Sequence, residues 1–383
     1  MILTDEQLEM KQMFREFFSE QIAPHAAEYD ETEKFPRENI KKLAQLGYMG
    51  MPIPEEYGGA GMDLFTYLVA VEELARACPS TGFAVTAHTS LCAETILKHG
   101  SDAVKKKYLP DLASGKKLGA LAITEVQAGS DSGATKTRAV LEGDHYVING
   151  SKQFITNGSE CDVVLIAAKT ADVEGPMGIS LIVVDTDTPG FSAGPKEKKL
   201  GIRASATAPL YFENCKVPTE NLVGREGRGF LHVMDTFDSG RIGIGAMAVG
   251  IAQAALDASL AYAKQREQFG KPIADFQMVQ AMIAEMAMGV EAARQLTYHA
   301  ASLKLAKKKF RKEASMAKLF ASNMAVRVTD LAIQVHGGYG YTRDFPVERL
   351  HRDAKILDIV EGTSEVQKMV IAQEALRQAG VSA

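Results

Sequence analysis

One acidic residue lies at a break between two helical stretches near the end of the chain. The segment Ala354–Lys368, AKILDIVEGTSEVQK, predicts the end of one helix, a break at Gly362 and a second helix. Ser364 and Gln367 have the spacing of a capping box, so we expect the second helix to begin at Ser364. Glu361 therefore precedes a helix N-terminus, where a partial positive charge and free backbone N–H groups favour an ionised carboxylate.

Such a carboxylate has two possible roles. On irregular backbone that faces a cleft, with N–H donors beside it, Glu361 has the attributes of a general base next to an oxyanion-binding group. The simpler interpretation is a surface carboxylate that only favours the helix dipole. This stretch alone favours the simpler interpretation, so the other motifs must decide between the two roles.

A loop of small residues opens the middle of the chain. In ALAITEVQAGSDSGA (120–134), an apolar strand leads into Gly129, Ser130 and Asp131. Small residues let the backbone approach a ligand closely, and successive N–H groups can hold phosphate or carbonyl oxygens. The alternative is a plain strand-to-loop turn. No G-x-G-x-x-G follows a strand and opens a helix, and no phosphate-binding P-loop motif is present.

A second glycine-rich stretch lies between two predicted helices. In QVHGGYGYTRDFPVERLHRD (334–353), Gly337 and Gly338 permit a ligand to lie against the backbone, and Gln334 could form a hydrogen bond to it. His336 has no nucleophile or carboxylate nearby in the sequence to complete a catalytic triad. We therefore expect it to be packed or to cap a helix.

Two arginines stand out in the last part of the chain. Arg241 lies in an apolar helical stretch, FDSGRIGIG, three residues after Asp238. A structural ion pair is the simpler interpretation, and recognition of a phosphate or carbonyl is the functional one. The stretch QREQFGKPIADFQ (265–277) has a Gly-Lys-Pro break, around which lie Arg266, Phe269 and Gln277.

The composition is that of an ordinary globular protein and excludes several classes. The chain has 383 residues, of which 46% are hydrophobic and 24% charged, and its net charge of −5 gives no basic face for nucleic acid. Four widely spaced cysteines suggest neither zinc nor disulfides and favour a cytoplasmic location. The acidic N-terminus is unlike a targeting segment, and the most apolar run, Ile242–Leu256, is too short to span a membrane.

The periodicity of apolar residues changes twice along the chain. We predict a mainly α fold with a central β domain, divided into an all-α domain (1–120), a β domain (121–228) and a helical-bundle domain (229–383). In the β domain, Asn149-Gly150 joins two short alternating runs and predicts a hairpin. Long helices are expected over 229–264, 273–305, 312–335 and 345–357, with a last one from Ser364.

Taken together, these stretches resemble the acyl-CoA dehydrogenase family over nearly the full chain. ITEVQAGSDSGA and QVHGGYGYTRDFPVERLHRD are similar to two family signatures, and IVEGTSEVQ is similar to the segment with the catalytic glutamate. The resemblance implies an N-terminal helical domain, a small β-barrel or sandwich and a C-terminal four-helix bundle. It also implies a homotetramer that binds FAD, with part of each FAD site supplied by a neighbouring subunit.

The resemblance also assigns residues to the sites. Glu361 matches the catalytic base, and Thr156 would lie near the reactive nitrogen of the flavin. Contacts to FAD within one subunit are implied for Leu121, Ile123, Thr124, Gly129, Ser130, Phe154, Ile155, Thr156, Thr363 and Glu365. Contacts across the subunit interface are implied for Arg266, Phe269, Gln277, Gln334, Gly337 and Gly338. Contacts to the acyl-CoA are implied for Ser130, Asp238, Arg241, Val360 and Gly362.

The implied reaction is α,β-dehydrogenation of a saturated short- or medium-chain, branched or cyclic acyl-CoA, with electrons passed to an electron-transferring flavoprotein. The alternatives are an enoyl-CoA reductase that runs in reverse within a flavoprotein complex, an acyl-CoA oxidase, and a non-enzymatic helical scaffold. The stretch Ala77–Leu97, implied to line the acyl pocket, has no lysine or arginine to hold a dicarboxylyl chain.

The sequence departs from the family pattern in three places. Val126-Gln127 stand where a proline and a small residue are usual, and Phe154 replaces the usual tryptophan beside the flavin. Val360 precedes the base where many members have an aromatic residue. We expect the smaller side chain to make room for a branched or cyclic acyl group.

Overall fold

The computed structural model describes residues 3–173 and 175–381. Its N-terminal part consists of helices. The predicted capping box at its start is confirmed, because the Thr4 hydroxyl accepts a hydrogen bond from the Gln7 N–H and the Gln7 side chain bonds back to Thr4. The helices are α1 (Asp5–Gln21), α2 (Ala26–Thr32), α3 (Arg37–Gln45), α4 (Leu64–Ala77), α5 (Pro79–Thr86), α6 (Glu94–His99) and α7 (Asp102–Ala113). A π-helical segment, Ala87–Ala93, joins α5 to α6.

The central part forms one mixed sheet of eight strands. The strands are β1 (Gly119–Ala122), β2 (Arg138–Glu142), β3 (His145–Thr156), β4 (Val163–Lys169), β5 (Ile179–Asp185), β6 (Phe191–Ala193), β7 (Thr207–Pro218) and β8 (Leu222–Val223). Their order is β6-β7-β3-β2-β4-β5-β8, and β1 pairs in parallel with β4.

The two faces of β4 are both buried, but against different partners. Val163 and Leu165 pack with the helical residues Leu109 and Leu112, whereas Ile166, on the other face, packs with residues of β3 and β7. Because successive side chains of a strand point to opposite faces, this division gives β4 its continuous apolar sequence. The sheet therefore has one hydrophobic core with the helices and a second one between its own strands. This second core agrees with the predicted sandwich-like domain.

The predicted hairpin at Asn149-Gly150 is wrong. Strand β3 runs through both residues, and the turn that joins β2 to β3 is at Gly143-Asp144. Strand β7 pairs with both halves of β3, so long-range pairing overrides the local turn signal. Gly150 marks an irregularity of this ladder, where φ is 145° and an added Cβ would lie 2.6 Å from the Thr137 hydroxyl oxygen.

The C-terminal part returns to long helices, as predicted. These are α8 (Gly229–Gln265), α9 (Gln277–Leu305), α10 (Arg311–His336), α11 (Val347–Ala354) and α12 (Ser364–Gln378), and a short hairpin of β9 (Glu267–Gln268) and β10 (Lys271–Pro272) follows α8. Helix α8 is longer than the apolar run identified in the sequence. By length and composition it could cross a membrane, but 67% of its apolar window is buried inside the protein, so it serves as the core helix.

Candidate active site

Glu361 lies on a sharp reversal of the chain between α11 and α12. Its φ is 51°, in the left-handed region that non-glycine residues rarely adopt, and Gly362 follows with a φ of 93°. Backbone of this kind costs free energy and is concentrated at functional sites. The reversal places the Glu361 carboxylate in the protein interior, against Gly240 of α8.

The helix after the reversal begins at Ser364 as predicted, but its predicted capping box is wrong. Thr363 is the N-cap residue, and its hydroxyl accepts the N–H of Val366. The Gln367 amide instead donates hydrogen bonds to the carbonyls of Glu361 and Gly362, at 3.2 and 2.9 Å. Gln367 therefore secures the reversal instead of capping the helix.

A glycine on α8 makes room for the Glu361 carboxylate. A Cβ added to Gly240 would overlap Glu361 Oε2 and lie 3.0 Å from its Cδ. Oε2 is buried, and no hydrogen-bond partner for it is found among the described residues. A buried carboxylate oxygen that lacks a partner is costly, so this atom is a strong candidate for contact with a ligand. Sequence reasoning missed Gly240, although it is adjacent to the noted Arg241.

Burial dominates the electrostatics of this carboxylate. It raises the pKa of Glu361 from 4.5 to about 7, although the nearby positive charges of Arg241 and Lys318 oppose the shift. The expectation of a carboxylate that stays fully ionised is therefore wrong near neutral pH. The helix N-terminus does not decide the outcome, because the side chain points into a recess. A pKa near the working pH is what a general base requires.

Arg241 and Asp238 form the ion pair that the sequence allowed. Arg241 is buried, and its Nη1 donates to Asp238 at 2.6 Å and to the Ser315 hydroxyl at 3.3 Å. Burial lowers the pKa of Arg241, which Asp238 and Glu361 oppose. Its Nε is buried without a partner in the described part of the chain. Nη1 of Arg241 thus takes part in a structural ion pair, whereas its Nε is available to donate to a ligand.

Two buried hydroxyls belong to the same neighbourhood and were not predicted individually. Tyr67 on α4 and Thr86 on α5 have buried hydroxyls that interact with each other, and neither has another hydrogen-bond partner in residues 3–173 and 175–381. Burial raises the pKa of Tyr67, and the charge of Glu361 adds to this. A Cβ added to Gly243, one turn after Gly240, would lie 3.7 Å from Thr86. Thr86 is within the stretch predicted to line the acyl pocket.

The loop with Gly129 and Ser130 is anchored by a buried ion pair. Lys152 Nζ lies 2.7 Å from Glu125 Oε1, and both residues are buried. The Glu125 carboxylate also accepts the N–H groups of Lys136 and Thr137, so it closes the base of the loop. Gly129 and Ser130 are exposed at its tip, where they remain accessible to a ligand.

The end of β3 presents the other predicted sheet residues. Phe154 has a φ of 58°, and 62% of its surface is exposed, whereas Ile155 is buried. Thr156 is half-buried, and Asn157 after it donates to the carbonyls of Ala84 at 2.8 Å and Gly119 at 3.2 Å. Asn157 therefore connects this end of the sheet to α5, two residues from Thr86. Leu121 and Thr124 are half-buried, and Ile123 is buried.

A separate cleft of about 530 Å³ contains three of the other predicted residues. Arg266, Gly337 and Gly338 line it, together with Tyr262, Gln268, Ile273, Val335, His336, Tyr339 and Thr342. His336 is buried and its Nδ1 bonds to the Ala332 carbonyl, in agreement with a packed role. Phe269 is 94% exposed, and Gln277 and Gln334 are also exposed.

The structure therefore divides the predicted site residues into two groups. The lining of the cleft with Arg266 contains none of the residues from the sheet, and the end of β3 is instead joined to α5 through Asn157. Val360 and Thr363 are half-buried beside Glu361, and Glu365 is exposed on the first turn of α12. One chain thus presents two partial surfaces.

The residues of both surfaces suit a flavin dinucleotide. Phe154 offers an exposed aromatic face, and an added Cβ at Gly129, Gly337 or Gly338 would meet no atom within 4 Å, so a ligand can approach the backbone there. Arg266 supplies a cation for a pyrophosphate in a cleft lined by aromatic rings. This donor set fits FAD.

Comparison with known proteins identifies the class. Family models match in three consecutive parts: the N-terminal domain of acyl-CoA dehydrogenases over residues 4–116, the middle domain over 120–215 and the C-terminal domain over 227–376. The chain belongs to the acyl-CoA dehydrogenase family, and it is accordingly an oxidoreductase with FAD as its cofactor.

Individual relatives match over almost the whole chain. A short-chain-specific acyl-CoA dehydrogenase of Clostridium acetobutylicum is 53% identical, over 98% of this chain and 99% of the relative. An acryloyl-CoA reductase (NADH) of Anaerotignum propionicum is 47% identical, over 98% and 96%.

Solved structures of similar proteins have the same fold over nearly the whole chain. Butyryl-CoA dehydrogenase of Megasphaera elsdenii superimposes with a TM-score of 0.96 at 44% identity, over 98% of this chain and 100% of the other. A chain from a study of the electron-transferring flavoprotein of Acidaminococcus fermentans has the same TM-score at 47% identity, over 98% and 99%.

Proposed function

We propose that this chain oxidises the Cα–Cβ bond of a saturated short- or medium-chain acyl-CoA, with Glu361 as the base. The observation that carries the proposal is the buried Oε2 of Glu361, which has no hydrogen-bond partner among the described residues and lies in the recess that Gly240 leaves in α8. The names of the relatives from Clostridium acetobutylicum and Megasphaera elsdenii support a short acyl chain.

In this proposal, Glu361 Oε2 removes a proton from the α-carbon of the thioester. The thioester oxygen gains negative charge as the proton leaves, so it needs hydrogen-bond donors already in place. The backbone N–H of Glu361 is the proposed donor. Gln367 and Lys318 engage only the carbonyls of the reversal and leave this N–H group to the substrate. When bound, FAD supplies the oxidant that accepts a hydride from the β-carbon.

Among residues 3–173 and 175–381, the hydroxyls of Tyr67 and Thr86 interact only with each other, and the Arg241 Nε has no hydrogen-bond partner. We assign Tyr67 and Thr86 to the wall of the acyl pocket and Arg241 with Asp238 to its entrance. Val360, half-buried beside the base, leaves space for a branched or cyclic chain in this assignment.

A second copy of the chain completes the cofactor site in this proposal. Phe269 is almost fully exposed, and the cleft with Arg266 lies apart from the sheet surface of its own chain. Two partial surfaces on one chain can complete each other in a symmetric assembly. We propose a homotetramer, built from domains that span 1–120, 121–228 and 229–383.

We propose an electron-transferring flavoprotein as the electron acceptor, supported by the structural match from the study of such a protein. The reverse reaction, reduction of an enoyl-CoA, is the second candidate, because the relative from Anaerotignum propionicum bears the name of a reductase. The four cysteines are buried free thiols, which suits the reducing cytoplasm.

The test is anaerobic mixing of the FAD-loaded protein with straight, branched and cyclic saturated acyl-CoAs. Bleaching of the flavin absorbance with formation of the 2-enoyl-CoA is the expected result, and turnover should then require an electron-transferring flavoprotein. Bleaching by NADH together with reduction of an enoyl-CoA would favour the reductase. Hydrogen peroxide formation in air would indicate an oxidase, and no bleaching with any thioester would contradict the proposal.

A further inference from the structure

A buried lysine on α10 holds the segment that carries Glu361. Lys318 is fully buried, and its Nζ donates to the Gly362 carbonyl at 3.0 Å. One turn later, the Ser322 hydroxyl donates to the Leu357 carbonyl, also at 3.0 Å. Helix α10 therefore binds the segment on both sides of Glu361.

This lysine has no carboxylate as a direct partner. Among residues 3–173 and 175–381, no carboxylate oxygen lies within 4.0 Å of Lys318 Nζ. Burying an ammonium group is costly unless it interacts with other charged or polar groups, and a methionine of similar size would fill the same space without that cost. The free-energy cost of burying Lys318 is offset by its hydrogen bond to the Gly362 carbonyl and by the negative charges of nearby acidic residues.

The charges around Lys318 come from three elements. Burial lowers its pKa to about 8, whereas Glu361, Asp358 on the preceding turn and Glu365 on α12 favour the charged form. Arg241 on α8 opposes them. The strongest interaction of Lys318 with a charged group is therefore with Glu361.

Glu361 itself faces Tyr67 from α4, Arg241 from α8 and Lys318 from α10. Arg241 already pairs with Asp238, which lies near Arg311 as well. Arg241 has the larger effect on the pKa of Glu361, and Lys318 adds to it from α10 without an ion pair of its own among the described residues.

We propose that Lys318 is a positioning residue for Glu361: its hydrogen bond fixes the backbone that presents the carboxylate, and its positive charge favours the ionised, proton-accepting form. This inference rests on the proposed role of Glu361 as the base. Lys318→Gln keeps a hydrogen-bond donor but removes the charge, whereas Lys318→Met removes both. The pair therefore separates the two effects.

The experiment measures proton transfer alone. Acetyl-CoA has α-hydrogens but no β-carbon, so it can exchange α-hydrogen for deuterium in D2O without oxidation. In the exchange, a C–H bond breaks, the proton passes to the carboxylate, and a deuteron returns to the same carbon. The rate per folded, FAD-containing chain is followed by NMR as a function of pH, together with the melting temperature. Lys106→Gln, at an exposed position of α7, is the charge-matched control.

The midpoint of the acid limb should move to higher pH by about one unit in both Lys318→Gln and Lys318→Met. The plateau rate should stay within a few-fold of wild type in Lys318→Gln and fall about 100-fold in Lys318→Met, because the carboxylate is then misplaced. Lys318→Arg should keep the wild-type midpoint, since it keeps the charge. Lys106→Gln should match wild type.

The outcomes separate this inference from the proposed function. Undiminished exchange in Glu361→Gln would contradict the base itself. If Glu361→Gln is inactive while the neutral Lys318 variants keep the midpoint and plateau of Lys106→Gln, the role of Lys318 is overturned and the base stands. A lower melting temperature with an unmoved midpoint would show a purely structural lysine. If the neutral variants fail to fold, a midpoint shift of about one unit in folded Lys318→Arg overturns the inference.

Discussion

The pocket around Glu361 and the surface around Arg266 differ in how far one chain completes them. The carboxylate is enclosed by α4, α8 and α10, and its backbone is held by Lys318 and Gln367. The cleft of Arg266 is open, and Phe269 beside it extends into solvent. One chain therefore preorganises the surroundings of Glu361, whereas it leaves the surface around Arg266 open.

This difference follows from the chemistry of each region. A base must be held in a fixed position and partly desolvated before its pKa approaches 7, so its surroundings must be complete in the folded chain. A dinucleotide cofactor has a large surface of its own, so the aromatic and glycine residues that contact it can remain exposed until it binds. Four measurements test this difference between the two regions.

Among these four, the largest effect is expected from filling the recess that holds Glu361. Gly240→Ala should lower kcat about 100-fold or more, because the added methyl group displaces the carboxylate of Glu361. FAD content should remain unchanged. Gly243→Ala is the matched variant on the same helix, where the methyl group would lie 3.7 Å from Thr86, and it should lose less than about tenfold. Equal losses in the two variants would contradict a dedicated recess.

Mixed assemblies test whether the cofactor surface is shared. Arg266→Ala alone should lose FAD and at least about tenfold in activity, since a charge-assisted contact is removed. Glu361→Gln and Arg266→Ala chains that are co-expressed should recover about a quarter of the wild-type activity, because one site of each mixed pair regains both residues. Activity no higher than the sum of the two single variants would show that each site belongs to one chain.

The pH dependence tests the buried environment of Glu361. The base must be ionised, and its pKa is raised to about 7, so kcat/KM should fall about tenfold per pH unit below pH 7. The contribution of Glu361 to folding stability changes with pH in the opposite direction to kcat/KM. The raised pKa of Glu361 contributes stability that is full below pH 4.5 and is lost as pH rises through 7. Glu361→Gln should therefore melt above wild type at pH 8. An acid limb near pH 4.5 would show a solvated carboxylate.

The smallest effect is expected at Val360. Val360→Phe should lower kcat/KM for a branched acyl-CoA relative to a straight chain of equal length by about three- to tenfold, because the larger side chain takes up space beside the α-carbon. The ratio of the two kcat/KM values is the measurement, so changes in overall activity cancel. An unchanged ratio would place Val360 outside the acyl pocket.

Much of the fold could be read from the sequence because its signals were regular. Long periodic helices and the capping box at Thr4 appear as predicted. The hairpin at Asn149-Gly150 failed, because pairing with β7 along the whole of β3 outweighs a two-residue turn preference. The predicted cap of α12 was wrong by one residue, because Thr363 is the N-cap residue and the Gln367 amide donates to the carbonyls of the reversal instead.

The candidate site was predicted less evenly. Glu361 and the glycine loops are visible as local patterns, whereas Gly240, Tyr67 and Lys318 matter only through what long-range packing places beside Glu361. A buried lysine in the middle of a helix has no signature in its own neighbours. The pKa of Glu361 likewise could not be predicted, because the local helix terminus suggested an ionised group and burial determined the result.

The most direct test of Glu361 as the base is anaerobic mixing of FAD-loaded wild type and Glu361→Gln with a short-chain acyl-CoA. Glu9→Gln, an exposed acid on α1, is the control for the same chemical change. We expect Glu361→Gln to bind FAD as wild type does and to bleach the flavin absorbance at least about 1000-fold more slowly, with the control unaffected. Bleaching by Glu361→Gln at a rate near that of wild type would contradict the role of Glu361 as the base.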